Sequence, residues 1–312
     1  MMLKPLLLRL HRWISFTFAL PLLVVVVTGL ILSFEPATET GRPSVPVDEA
    51  RIQALLKVAD PAGTATGLAL RGRDNTLAVG SPRQTVEVDL ASGQVRTDGP
   101  STLNALYRWA RPVHEHLIGD MGWLVFGSTV ALIVVSGLGI AMGWPRFRNT
   151  LGGWHAVGAW VMLPLVVLSP LTGLMLSLGL GNGGGFGGGA GGGRATLSEA
   201  VTMIARQHDV ADLAQIRNRG GRFMARVVVG NTPVTYIVSK AGLQPLPTNW
   251  PRSLHEGTWN TVWGPLANAA VSVLFIGLIA TGGTIWLRRT LRQRRIRAEK
   301  RALALQASGT RA

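Results

Sequence analysis

No cysteine occurs among the 312 residues. Disulfides, thiolate zinc sites, iron–sulfur clusters and the C-x-x-C-H attachment of a covalent haem are therefore excluded. Charge is also scarce. Only 15% of the chain is charged and acids number 16 against 31 Lys and Arg, so a disordered tail or a soluble nucleic-acid binder is excluded despite a net charge of +15. Histidine and carboxylate remain as metal ligands, and six histidines are few enough to take singly. What is abundant is apolar: 47% of residues, with a mean hydropathy of +0.29.

The apolar residues gather in four runs nearly free of charge, at 13–34, 122–144, 156–178 and 262–287. At about 1.5 Å per residue each is long enough to cross a hydrocarbon core roughly 30 Å thick. The first lacks a small-x-small cleavage site and reads as an uncleaved anchor. Basic residues then set the orientation. Residues 1–12 hold three, the turn 145–155 holds Arg146 and Arg148, and the tail 288–312 holds nine, against Glu299 alone. Both termini are thus expected in the cytoplasm and the segments 35–118 and 195–261 on the opposite side, in a multi-pass protein contacting lipid. Each exported segment reads as a small α+β domain. PVDEARIQALLKVA is a helix followed by strand-like LALRG and TLAVG, then a hairpin turning at Ser92-Gly93; TLSEAVTMIARQH is a capped helix followed by two strands turning at Asn231 and Thr232. Between them, 179–194 is glycine-rich with no Lys-Ser or Lys-Thr to complete a phosphate loop, and reads as a linker.

The chain is duplicated. TGLILSF at Thr28 recurs as TGLMLSL at Thr172, and each follows a histidine, His11 or His155, that lies eighteen residues before the glycine. RPVHEH at Arg111 recurs as RSLHEG at Arg252, and Ser136-Gly137 recurs as Thr281-Gly282. The expected fold is therefore an all-α membrane four-helix bundle, a tandem repeat of helix, exported domain, helix, with two small α+β domains outside. His11 and His155 stand at the inner ends of equivalent spans, His114 and His255 at the outer ends of the other two. Paired histidines on symmetry-related helices suit bis-imidazole ligation of two non-covalent, b-type haems. Gly137 and Gly282 would wall the inner site, and Gly29 and Gly173 the outer one. His116 is the alternative to His114, because its helical direction lies nearer that of Gly137. Arg12, Arg111 and Arg252 lie where haem propionates would need cations. His208 reads as a surface residue.

The phrases LHRWISFTFALPLLVVVVTGLILSF, WHAVGAWVMLPLVVLSPLTGLMLSL, VHEHLIGDMGW and LHEGTWNTVWGPL, with VEVDLASGQV in the exported segment, resemble the PepSY-associated transmembrane family over nearly the whole chain. The resemblance implies a bacterial inner-membrane protein whose exported domains are PepSY-like periplasmic modules. It also implies similarity to di-haem ferric-siderophore reductases and iron-regulated membrane proteins, with His11 and His155 as inner ligands and His114 and His255 as outer ligands.

The expected activity is thus electron transfer from the cytoplasmic side to a periplasmic ferric siderophore or other Fe(III) chelate. No strand followed by Gly-x-Gly-x-x-Gly opens a helix, so quinol or a separate reductase must be the electron donor. No protein acid or base is required for the chemistry. The alternative is a non-enzymatic membrane-anchored regulator or peptide-binding protein. A third reading is a metal-uptake accessory binding through His114, Glu115, His116 and His255.

Overall fold

A segment in lipid must satisfy its backbone polar groups internally, and the long uncharged runs of this chain accordingly fold as helix. The computed structural model describes residues 3–81, 84–99, 101–180 and 195–309, with side chains to Arg301. The glycine-rich stretch from 181 to 194 lies outside the described residues.

The chain begins with α1 (Leu3–Leu32) and the short α2 (Glu35–Glu39), followed by α3 (Glu49–Ala59), β1 (Gly67–Arg71), β2 (Thr76–Ser81), β3 (Gln84–Asp89) and α4 (Thr102–His116). Next come α5 (Gly122–Ala141), α6 (Leu151–Val161) and α7 (Leu163–Ser177). The second half continues with α8 (Leu197–Ala205), β4 (Leu213–Arg219), β5 (Arg222–Val229), β6 (Thr232–Ser239), β7 (Gly242–Pro245), α9 (Trp250–Glu256) and α10 (Trp263–Gly309). Two compact units result. One holds the chain up to Val27, His116–Leu171 and Val271 onward; the other holds Thr28–Glu115 and Thr172–Ala270.

Among the described residues three helices are long and apolar enough to cross a membrane, or four if α6 and α7 form one span. That pair replaces the straight span expected over 156–178, because the two helices meet at an angle of 66°. Pro164 explains the break: it has no N–H to give the carbonyl four residues back, and its ring crowds that carbonyl. The basic tail carries on as the last turns of α10. Val26, Val166, Val271 and Phe275 form the buried apolar cluster here, and Phe16 stacks on Trp286 with ring centroids 4.4 Å apart.

The second unit departs further from expectation. The two segments expected as separate domains form one sheet, ordered β3-β2-β1-β4-β5-β6-β7 and antiparallel throughout. The first strand of each half pairs with the other across the middle, with Leu68 opposite Ile216 and Ala69 opposite Gln215. An open β1 edge and an open β4 edge would each leave a row of unpaired amides, and pairing them removes both. The helices α3 and α8 lie side by side over the join, where Gln53 donates to the Ser198 carbonyl at 2.9 Å and accepts from its hydroxyl at 2.7 Å. Beneath them Ile52, Leu55, Leu77, Ile204 and Ile216 are wholly buried in one continuous core. Each such aliphatic contributes on the order of 2 kcal/mol. Asp48 caps α3, and Thr196 with Glu199 forms a capping box on α8. The hairpin between β5 and β6 turns on Gly230 and Asn231, one residue earlier than the sequence reading, since Val229 pairs with Thr232.

The join requires glycine at 67, because a Cβ there would stand 2.6 Å from the Ile216 carbonyl oxygen. Gly67→Ala should cost about 1–3 kcal/mol, read as a lower thermal midpoint of the purified protein. Gly139→Ala, whose added methyl meets nothing within 4 Å, should leave the midpoint unchanged. Equal melting of Gly67→Ala and wild type would contradict the shared sheet.

Candidate functional site

A histidine ring laid against a neighbouring helix needs an empty space where a side chain would stand. It also needs a polar partner for its near nitrogen. A Thr-Gly pair on the facing helix supplies both, and three of the four candidate histidines, His114, His155 and His255, lie against such pairs.

In the second unit His114, near the end of α4, sits on Thr28 and Gly29 of α1. Its Nδ1 is 3.2 Å from the Thr28 hydroxyl, and a Cβ on Gly29 would come within 3.1 Å of its Cε1. His255 on α9 repeats the arrangement on α7. Its Nδ1 is 3.4 Å from the Thr172 hydroxyl, and a Cβ on Gly173 would come within 2.9 Å of its Cε1. Both hydroxyls are buried, Thr28 at 2% exposure and Thr172 at 3%. The two rings face each other with centroids 6.1 Å apart and planes inclined at 45°.

Both outer histidines stand on short helices ahead of the spans. After α4 the chain turns through positive φ at Leu117, Gly119 and Asp120, and after α9 Gly257 is left-handed. The backbone at Gly257 packs so closely on Gly264 that neither tolerates a Cβ, and the Asn268 amide donates to the His255 carbonyl at 2.7 Å. Those breaks explain why helical angles counted from His114 to Gly137 and from His255 to Gly282 do not close. The two neighbours differ in setting: the His114 ring faces His255, while the His116 ring is half-exposed with its Nδ1 3.7 Å from Asp120.

In the first unit the His11 Nδ1 is 3.2 Å from the Val135 carbonyl on α5. A carbonyl only accepts, so that nitrogen carries the proton and Nε2 keeps its lone pair. Ser136, the expected hydroxyl partner, instead donates back to Leu132 at 2.8 Å. His155 on α6 places Nδ1 2.8 Å from the Thr281 hydroxyl, and Thr281 donates its own proton to the Gly277 carbonyl at 2.7 Å. His155 is therefore also protonated at Nδ1. Gly282 meets the His155 ring at 3.5 Å, whereas nothing lies within 4 Å of a Cβ on Gly137.

Gly29, Gly173 and Gly282 thus seat imidazoles, each within its own repeat. In the first copy His11 lies on α5 and His114 on α1; in the second, His155 lies on α10 and His255 on α7. Sequence reasoning placed Gly137 and Gly282 as walls of the inner site and Gly29 and Gly173 as walls of the outer one.

Two of the three candidate arginines are engaged. Arg111 pairs with Glu35 and lies 3.7 Å from Glu115, and Arg252 lies 3.2 Å from Glu256. Burial works against the Arg111 cation, and Glu35, Glu256 and Glu115 outweigh it to hold the pKa above its ordinary value. Arg12 has no ion-pair partner among the described residues and is partly exposed beside His11. His208 lies against Tyr236 with ring centroids 5.1 Å apart. Among the described residues no group of three or more His, Asp or Glu side chains is placed to hold a metal ion, so the cluster His114, Glu115, His116 and His255 does not assemble.

Two features escaped sequence reasoning. One is α4 itself, legible in hindsight from Tyr107, Ala110 and Val113 on one buried face. The other is an open, largely apolar hollow of about 470 Å³ between the end of α1 and α4, lined by Leu30, Phe34, Leu106 and Tyr107 with Arg73.

In ¹⁵N-histidine-labelled protein prepared without haem, His11 and His155 should both show the Nδ1–H tautomer. Thr281→Val should release His155 alone toward the Nε2–H form that predominates in free imidazole side chains. Nε2–H signals for both rings in the unsubstituted protein would refute the assignment.

A search of curated proteins gives no match. The sequence pattern of the PepSY-associated TM region, by contrast, matches residues 8–289, all but the two ends of the chain. A duplicated set of apolar helices carrying a shared antiparallel sheet, with histidines seated on Thr-Gly pairs, is thus the form taken here by a membrane protein that belongs to the PepSY-associated transmembrane family.

Proposed function

We propose that the protein is a di-haem b-type oxidoreductase of the bacterial inner membrane. On this reading it carries electrons from a cytoplasmic-side donor, quinol or a separate reductase, to a periplasmic Fe(III) chelate such as a ferric siderophore. The helices form a four-helix bundle with both termini in the cytoplasm, and the seven-stranded sheet lies in the periplasm.

The observation that carries the reading is the His114–His255 pair. Two imidazoles bound to opposite sides of one metal ion, at a metal–nitrogen distance of about 2.0 Å, have centroids roughly 6.3 Å apart. The rings here are 6.1 Å apart. Each is held at Nδ1 by a buried threonine, as ligating histidines are held by an outer partner that fixes tautomer and orientation. Gly29 and Gly173 let both rings lie flat on their helices. In the other unit His11 and His155 offer Nε2 lone pairs, the neutral form that a ferric or ferrous iron requires.

Bound haem supplies a one-electron Fe(III)/Fe(II) couple at each pair. The residues of the chain do the rest. Four histidines hold the groups, three threonines and the Val135 carbonyl orient them, and the surrounding apolar helices exclude water. Arg12 is the nearest uncommitted cation to the inner pair for a propionate, whereas Arg111 and Arg252 would have to exchange a carboxylate for one. One-electron reduction weakens the hold of hard oxygen ligands on iron, which is the use of such a transfer to iron acquisition.

Detergent-purified protein should show sharp reduced b-type bands and about two haems per chain by pyridine haemochrome. His255→Ala and Gly173→Val should each lower the count to about one, the valine by pushing the His255 ring off its seat. A colourless protein from haem-replete cells would overturn the proposal.

A further inference from the structure

We infer that the hollow between the end of α1 and α4 is a binding site for an anionic phospholipid, with an acyl chain lying between the two helices and the phosphate on Arg73.

The walls are apolar. Leu30, Ile31 and Phe34 come from the last turn of α1 and the residues just past it, and Leu103 and Leu106 face them from one side of α4. Phe34 and Leu106 are exposed, so this apolar surface opens onto a volume of about 470 Å³, within the range of small-ligand sites. Exposed apolar surface gathered in one place gains by meeting other apolar matter. What it meets here is set by α1, whose preceding turns form an apolar run long enough to cross a membrane; lipid therefore adjoins its end. Trp109, one turn beyond Leu106, is exposed in the same row of α4, and tryptophan collects at the level of the lipid headgroups.

The polar side of the hollow selects the headgroup. Arg73 stands at its rim, exposed, and among the described residues no carboxylate lies within ion-pair range of it. Its neighbour Asp74 accepts instead from Ser101 and Asn104 at the start of α4. Thr38 and Tyr107 complete this side, with the Tyr107 hydroxyl hydrogen-bonded to Thr38. A guanidinium grips a phosphate through paired, charge-assisted hydrogen bonds. A zwitterionic lipid offers its phosphate only in competition with its own ammonium, and a neutral quinone offers no anion. The site needs no haem and stands apart from the redox reading. The two helices that form it also carry Gly29 and His114, so a bound chain packs beside the seat of that ring.

The test is photolabelling of the full chain in phosphatidylcholine vesicles, with phosphatidylglycerol or phosphatidylcholine probes that carry a diazirine on the acyl chain, and with adducts located by peptide mass spectrometry. Labelling of residues 30–34 and 103–107 should be about fivefold stronger with the phosphatidylglycerol probe. Arg73→Gln should abolish that preference at an unchanged melting midpoint. Arg73→Lys should keep most of it, and Arg292→Gln, in the basic part of α10, should leave it as it is. Leu106→Trp, which fills the hollow, should cut labelling of Leu30 and Leu103 by both probes. Equal labelling by the two probes in the unsubstituted protein would overturn the inference, as would a preference that survives Arg73→Gln. So would loss of the label to an equal amount of ubiquinone, which would make the hollow a quinone site.

Discussion

An imidazole inside a helical membrane protein cannot leave its near nitrogen unpaired, and it cannot approach another helix through a Cβ. Those two demands fix much of the membrane-proximal sequence. Thr28-Gly29, Thr172-Gly173 and Thr281-Gly282 each meet them with adjacent residues, a hydroxyl for Nδ1 and a bare Cα for the ring. At Ser136-Gly137 the same phrase works differently. The serine hydroxyl returns to its own helix at Leu132, and the imidazole takes the Val135 carbonyl instead. A carbonyl acceptor and a hydroxyl whose proton is already committed have the same effect on tautomer: both force the proton onto Nδ1 and leave Nε2 basic.

The duplication explains the rest of the architecture. Each repeat braces itself, its first span carrying one histidine toward the second and receiving another in return. What joins the repeats in the sheet-bearing unit is the antiparallel meeting of their first strands. The order β3-β2-β1-β4-β5-β6-β7 reads outward symmetrically from that meeting, with β7 as the one added strand. Two modules of some sixty residues would each be marginal with a single helix over an open-edged sheet. Fused, they share α3 and α8 and one core.

Much of this was legible in the sequence, and the physical reasons for what was not are specific. Helices with strong periodicity and clear caps, α3 behind Asp48 and α8 behind Thr196, follow from local chemistry, as do the glycine turn after Asp89 and the apolar spans. The pairing of His114 with His255 followed from the repeated Arg-x-x-His-Glu phrase. The merging of the two sheets did not, because β1 with β4 is a contact between residues about 150 apart whose only local trace is Gly67, a glycine in a strand. The bend at Pro164 was missed because Pro21 lies at a similar place in α1 and leaves that helix unbroken. Proline signals that a hydrogen bond is lost; whether the helix breaks depends on what packs around it. Which ring each glycine meets was not legible in the sequence for a related reason. Helical angles carried through the irregular backbone at Leu117–Asp120 and Gly257 lose their meaning, so only coordinates showed which helix each ring rests on.

Charge was the least legible quantity of all. Summed over the chain, the excess of Lys and Arg reads as orientation signal and basic tail, and most of it is that. Within 195–261 the sum hides an arrangement that only register reveals. Arg217, Arg219, Arg222 and Arg226 are spread over ten residues, and period two alone puts each pair on a common side of its own strand. Only the pairing of Arg219 with Arg222 brings the two sets to the same face, since a slip of one residue would have sent one set toward the core. The four acids of this segment have other duties in the fold, capping α8 and anchoring Arg42 and Arg252. The gathering of arginines on this face is thus a consequence of the same register that buries Ile216 and Ala225 beneath it.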